Sequence, residues 1–150
     1  MPYSLDDLIV DIKDIILNEK IPNGSDKICY FVSKALMDQN FISENLPDRQ
    51  NGEQPRQILY EDKETGFCVC GHVYSTEAIG SPHDHGPSWA IYGQASGETE
   101  MTDWEIVEDR SNNEMIYVKP KKTYTMKAGD VHFYGVGEVQ FVWRYLGDAI

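Results

Sequence analysis

Two histidines stand one residue apart in SPHDHGPSWAIYG, residues 81–93 of a 150-residue chain that has four histidines in all. His83 and His85 are at i and i+2, so on an extended strand both imidazoles leave the same face. Two neutral imidazoles aimed at one point can share a divalent metal ion. A mononuclear site needs at least one further ligand. His132, in KAGDVHFYG, is the best candidate: Gly129-Asp130 turns the chain and His132 begins the next strand. An antiparallel barrel can bring it beside His83 by cross-strand pairing. The fourth histidine, His72, shares a strand face with Cys68 and Cys70 and can line a pocket there. The two cysteines read as small apolar core side chains, with a second metal site as the weaker option. Trp89 and Tyr92 read as barrel packing, with Trp89 close enough to His85 to wall a site. Asp84 reads as a surface or supporting hydrogen-bond acceptor.

These side chains need a frame, and the chain divides into two regions. Residues 4–20 carry Leu5, Leu8, Ile9, Ile12, Ile15 and Ile16 at helical spacing. Ser4 is placed to cap that helix, with Asp6 and Asp7 in its first turn. Ile21-Pro-Asn-Gly24 ends it, and Ser25 or Asp26 starts a second helix with Ile28, Phe31, Val32, Ala35 and Leu36 as its stripe. Residues 43–55 are polar, hold two prolines and a glycine, and read as a loop. From Gln57 onward come short β-branched or aromatic runs: QILYED, GFCVCGHVYS, SWAIYGQA, GETEMTDWEIVE, EMIYVKP, TYTMKAG, VHFYGV and EVQFVWRYL. Turns at Gly66, Ser96-Gly97, Ser111-Asn-Asn113 and Ala128-Gly-Asp130 punctuate them. That is the pattern of a small antiparallel barrel or jelly roll. The expectation is one mainly-β domain over 1–150, with a helical lead-in over 1–45 packed on a β-barrel over about 57–146.

With HxH and GDxH on the page, the sequence resembles the cupin superfamily. The first cupin motif is HxH, three or four residues, Glu, six residues, Gly. Here His83-Asp84-His85 is followed by Ala90 at the Glu position and by Gly97 in register. The second motif, PxGxxH and then Asn, is similar to Lys127-Ala-Gly129-Asp-Val-His132, with Val136 at the Asn position. The resemblance implies a double-stranded β-helix, the cupin jelly roll, with two helices before it. Losing the carboxylate at position 90 leaves a neutral three-histidine face, which resembles the cysteine dioxygenase and thiol dioxygenase family.

That family implies Fe(II) held by His83, His85 and His132, a small thiol and O2 as substrates, and a sulfinate product. It implies a catalytic tyrosine on a late strand, here Tyr145 in QFVWRYL; Phe141 and Trp143 stand where some members carry a serine and a histidine beside that tyrosine. With Ala at position 90, the Cys–Tyr cross-link of some members cannot form there. A carboxylate-bearing substrate calls for an arginine. Among Arg49, Arg56, Arg110 and Arg144, Arg56 lies nearest the family's carboxylate-binding position, and Arg144 alternates with Tyr145 to the opposite strand face.

Charge narrows the partners. With 25 acidic and 13 basic side chains the net charge is -12, which repels phosphate backbones and anionic lipid, so neither nucleic acid nor membrane is an expected partner. The N-terminal stretch is acidic where a signal peptide is basic. Three cysteines cannot all pair within one chain, and a cytoplasmic location with reduced thiols is expected. Two rivals stay open: another metal cupin, a lyase or isomerase using the ion as a Lewis acid, and a non-catalytic cupin that binds a small ligand.

Overall fold

A computed structural model describes residues 2–47, 56–78, 83, 85, 87–110, 115–136 and 138–149, with backbone alone for 74–78, 108–110, 115–116 and 139–148. The expected turn at 111–113, Arg49 and Asp84 lie outside the described residues.

The lead-in has three helices rather than two. Helix α1 spans Leu5–Asn18, and Ser4 caps it reciprocally: the Ser4 hydroxyl accepts from the Asp7 amide while the Asp7 carboxylate accepts from the Ser4 amide. Leu8, Ile12 and Ile15 are its buried face. Helix α2, Ser25–Leu36, buries Ile28, Val32, Ala35 and Leu36. Gly24 is its N-cap, and the close approach of α1 favours glycine there, since a Cβ would stand 2.6 Å from Cγ2 of Ile15. Helix α3, Gln39–Asn45, is the addition. Asp38 caps it by accepting from the amides of Asn40 and Phe41, and Phe41, 1 % exposed, anchors it. A cap and one aromatic anchor suffice for two turns that carry no long apolar period.

The remainder is β. Strands β1 (Arg56–Glu61), β2 (Cys68–Ala78), β4 (Glu98–Arg110), β5 (Met115–Lys127) and β7 (Val139–Ala149) form one antiparallel sheet in the order β1-β2-β7-β4-β5. Strands β3 (Ala90–Gly93) and β6 (Val131–Tyr134) form a second. The chain is thus mainly β with a helical lead-in. EMIYVKP and TYTMKAG, separate runs in the sequence, are one strand. Pro120 is accommodated because β5 is an edge strand and a bulge falls beside it: Asp103 faces Lys122 while Trp104 faces Pro120.

Two polar clasps tie distant segments of the chain together. Asp62, 2 % exposed, accepts from the Tyr60 hydroxyl at 2.8 Å and from the Thr65 amide at 2.7 Å, and Lys13 of α1 reaches it at 3.2 Å. Hydrogen bonds from Thr65, Tyr60 and Lys13 hold its carboxyl well below the ordinary carboxylate range. The second clasp is the β5–β6 turn. Gly129, at φ +94, donates its amide to the Gln94 carbonyl, and the Gln94 amide donates to the Asp130 carbonyl. This pins the start of β6, and therefore His132, to the end of β3. Helix α2 packs on β6 and β3 from outside. Among the described residues no helix is long and apolar enough to cross a membrane.

Candidate functional site

The β3–β6 ladder decides which residues meet. Ala90 faces Tyr134 and Tyr92 faces His132. Directly paired residues share a sheet face, so Ala90, Tyr92, His132 and Tyr134 form one surface. The segment that carries His83 and His85 comes just before β3. It is not a strand through both residues, as its i, i+2 spacing suggests. His83 makes an isolated bridge, and the chain turns after His85, whose carbonyl accepts from the Ser88 amide at 3.2 Å. The two rings nonetheless converge, with centroids 5.3 Å apart and planes at 84°. Two imidazoles on one ion at a metal–nitrogen distance of about 2.1 Å hold their centroids roughly 5 Å apart, and this pair stands at a similar separation.

Across the ladder His132 pairs with Tyr92. Its ring lies 5.2 Å from that of Tyr124 and 4.5 Å from that of Tyr134. The Tyr124 and Tyr134 hydroxyls hydrogen-bond each other, and Tyr124 also donates to Asp103 at 3.1 Å. Burial raises both phenols well above the ordinary tyrosine value, so they stay protonated. Among the described residues no three His, Cys, Asp or Glu side chains form a group that could hold a metal. The pair stands at sharing separation; the triad is not closed in this arrangement.

Tyr92, expected from the sequence to pack the barrel, also reaches the histidines. Its hydroxyl meets His85 Nε2 at 3.3 Å, and its ring lies 5.9 Å from His85, 6.4 Å from His72 and 5.5 Å from Tyr134. The chain's four histidines therefore gather about it: His72 and His85 directly, His83 through His85, and His132 across the ladder. A signal was present in the sequence, since Tyr92 is two residues from Ala90 and so on the same strand face.

A cavity of about 750 Å3 opens here, lined by His72, His83, His85, Ala90 and Tyr92 among others. Cys68 and Cys70 line it with His72, as their alternation on one strand face implies. Cys68 is exposed rather than a core residue, and Cys70 is half-buried. Burial, and then the nearby Glu61, push the Cys68 thiol up, so it is a poor thiolate. His72 is pushed down to about 4, first by burial and then by Arg56, its ladder partner. It is neutral at pH 7. Arg56, exposed at the start of β1, lines the same cavity and donates to Cys70 Sγ at 3.7 Å. Trp89 lines it as well and leans on Phe133, with centroids 6.5 Å apart. Tyr145 stands opposite Thr99 in the β4–β7 ladder; its side chain, like those of Phe141, Trp143 and Arg144, lies outside the described residues. Thr99 lines the cavity and donates to Gln94 at 2.6 Å.

No protein-family model matches the chain, and no curated protein matches it.

Proposed function

We propose that the chain is a mononuclear non-haem iron thiol dioxygenase of the cupin kind, converting a small thiol such as cysteine or a related mercapto acid to its sulfinate. The observation that carries this reading is the gathering of the four histidines about Tyr92, beside a cavity with no carboxylate at Ala90. The two antiparallel sheets are read as the walls of a cupin jelly roll. His83 and His85, already at sharing distance, would hold Fe(II) with His132. Bound there, the ion supplies redox chemistry and a charge that three neutral imidazoles leave undiminished.

The chain's own residues do the rest. Ala90 keeps an anion from competing with an incoming thiolate. His72, neutral, adds no positive charge. Arg56 is placed to take a substrate carboxylate bidentately. Tyr145, on β7 opposite a cavity-lining residue, stays the candidate for the family's tyrosine. The overall reaction, RSH plus O2 giving RSO2H, balances without an external reductant. Free Cys29, Cys68 and Cys70 support a reducing, cytoplasmic setting.

The test is oxygen uptake by iron-loaded protein with cysteine, cysteamine and 3-mercaptopropionate. One of them should yield a sulfinate carrying both atoms of dioxygen. No uptake with any, at full iron occupancy, overturns the reading. A second reading, a non-catalytic cupin that binds a small ligand, is favoured by one observation: the Tyr92 hydroxyl already meets His85 Nε2 at 3.3 Å, a nitrogen that an ion would need. It predicts ligand binding with no oxygen consumed. A lyase or isomerase would turn over anaerobically.

A further inference from the structure

Two thiols on the cavity wall take no part in the dioxygenase chemistry. Cys68 and Cys70 stand on β2 at i and i+2, on the strand face that also carries His72, and both line the cavity. Cys68 is exposed and Cys70 half-buried. Their neighbour β1 is an edge strand, and Ile58, paired with Cys70, is 58 % exposed, so this face is open to solvent. Arg56 is paired with His72, which sets it diagonal to Cys70, and its guanidinium donates to Cys70 Sγ at 3.7 Å.

Strand geometry keeps the two thiols from pairing with each other. The bulge in the β1–β2 ladder falls on β1, between Ile58 and Tyr60, and β2 runs on regularly through Cys68, Val69 and Cys70. Side chains two residues apart on a regular strand leave it about 6.8 Å apart. A disulfide needs Cβ atoms roughly 4 Å apart. A disulfide formed here is therefore made with another molecule, and neither thiol can expel that molecule by closing on the other. The two thiols also differ in setting. Burial and then Glu61 push the Cys68 thiol up, and Arg56 offsets them only in part. Cys70 has the guanidinium against its sulfur. The thiolate is the form that attacks a disulfide, and a cation beside it stabilises its charge. Cys29, half-buried on α2, has a thiol pushed up by burial and then by Asp26.

We propose that Cys70 is a thiol-exchange site for small anionic disulfides, with Arg56 drawing in the carboxylate of the incoming molecule. The guanidinium has five N–H donors, enough to meet a carboxylate while it stays beside Cys70 Sγ. The Cys70 thiolate attacks one sulfur of RS–SR. That S–S bond breaks, a Cys70–SR bond forms, and the electron pair leaves on RS−, which takes up the proton that Cys70 gave up. No oxidant or reductant is consumed, and excess free thiol reverses the step. The adduct lies on the wall that carries Arg56 and His72. On the dioxygenase reading it blocks the site whenever the disulfide form of small thiols accumulates; the exchange itself does not rest on that reading.

The experiment mixes the full chain, with no metal added, with dithiodipropionate, a dianion, or with cystamine, a dication. Intact mass follows the adduct and peptide mapping locates it. Each rate is taken relative to that of the same reagent with the urea-unfolded chain, which removes differences in intrinsic reactivity. On that scale dithiodipropionate should label Cys70 about tenfold faster than cystamine, the low end of what a local field gives an association rate, although the net charge of -12 favours the dication. No preference, or labelling of Cys68 or Cys29 ahead of Cys70, overturns the inference. Arg56→Gln should erase the preference, and a preference retained in that variant also overturns it. Cys68→Ser should leave the rate and lifetime of the Cys70 adduct unchanged. A Cys68–Cys70 disulfide, seen as protein two hydrogens lighter with no adduct, would show that the strand does let the thiols close. Exchange needs no iron, so the two readings fail separately. Oxygen uptake without a Cys70 adduct removes the exchange site and keeps the dioxygenase. A Cys70 adduct with no oxygen uptake from any thiol does the reverse.

Discussion

The helical lead-in and the histidine cavity are built on opposite terms. In the lead-in, Leu8, Ile28, Ala35 and Phe41 are at most 1 % exposed, and α1 and α3 have side-chain caps at their N-termini. Around Tyr92 lie phenol hydroxyls, imidazoles and an open cavity, and His83 is exposed. One region gains stability from close packing of apolar side chains. The other encloses polar groups that bury at a cost, and one histidine there has lost most of its affinity for a proton. Sites of chemistry commonly break the local rules that the rest of a fold obeys. The difference says where the two kinds of mutation should act: lead-in substitutions on folding, cavity substitutions on binding.

The sharpest break is at the pair. His83→Ala or His85→Ala should lower affinity for a divalent ion at least 100-fold and move chemical-denaturation stability little, because neither ring is a packed core side chain. Metal titration and urea melts on one preparation check both halves. His132→Ala should likewise remove the ion; full occupancy in that variant would show that His132 is not the third ligand.

Leu8→Ala is the mirror experiment. It should cost about 2–5 kcal/mol by urea denaturation, as for other fully buried leucines. The protein that remains folded should bind metal with unchanged stoichiometry. Loss of binding by that folded fraction would merge the two regions into one functional unit.

Next comes acid. His72 has a folded-state value of about 4, against an ordinary value near 6.5. Between these the unfolded chain binds the extra proton and the folded chain does not, so stability falls as pH drops through that window. The integrated loss is about 3 kcal/mol by pH 4, and His72→Gln should flatten it. Asp62 acts lower: its depressed carboxyl gives a contribution that is complete above the ordinary carboxylate value and is lost as pH falls below it. Urea midpoints between pH 7 and pH 3, with and without the His72 substitution, separate the two.

The smallest effect is at Tyr92. Its hydroxyl occupies His85 Nε2, a nitrogen an ion would need. A hydrogen bond contributes about 1 kcal/mol net, so Tyr92→Phe should tighten metal binding about fivefold. Weaker binding would mean that the hydroxyl supports the ion instead of competing with it.

Much of this was legible in the chain itself. Apolar residues every three or four positions from Leu5 to Ile16 and again from Ile28 to Leu36 marked two amphipathic helices, since that period places them on one stripe. Ser4 and Asp7 at capping spacing marked the first start. Alternation and turn glycines marked the β region, and Gly97 and Gly129 do adopt the positive φ their turns need. The i, i+2 spacing placed His83 and His85 together, and strand alternation placed Cys68, Cys70 and His72 on one wall. These are local properties, set by a residue's own geometry and its near neighbours. Pairing is not local. That Tyr92 faces His132, that Pro120 passes within a single edge strand, that Asp62 is clasped by a lysine from α1, and that α2 packs against β3 and β6 depend on which distant segments meet. Such meetings are decided by the whole set of buried faces competing for one interior, so only the tertiary structure could supply them.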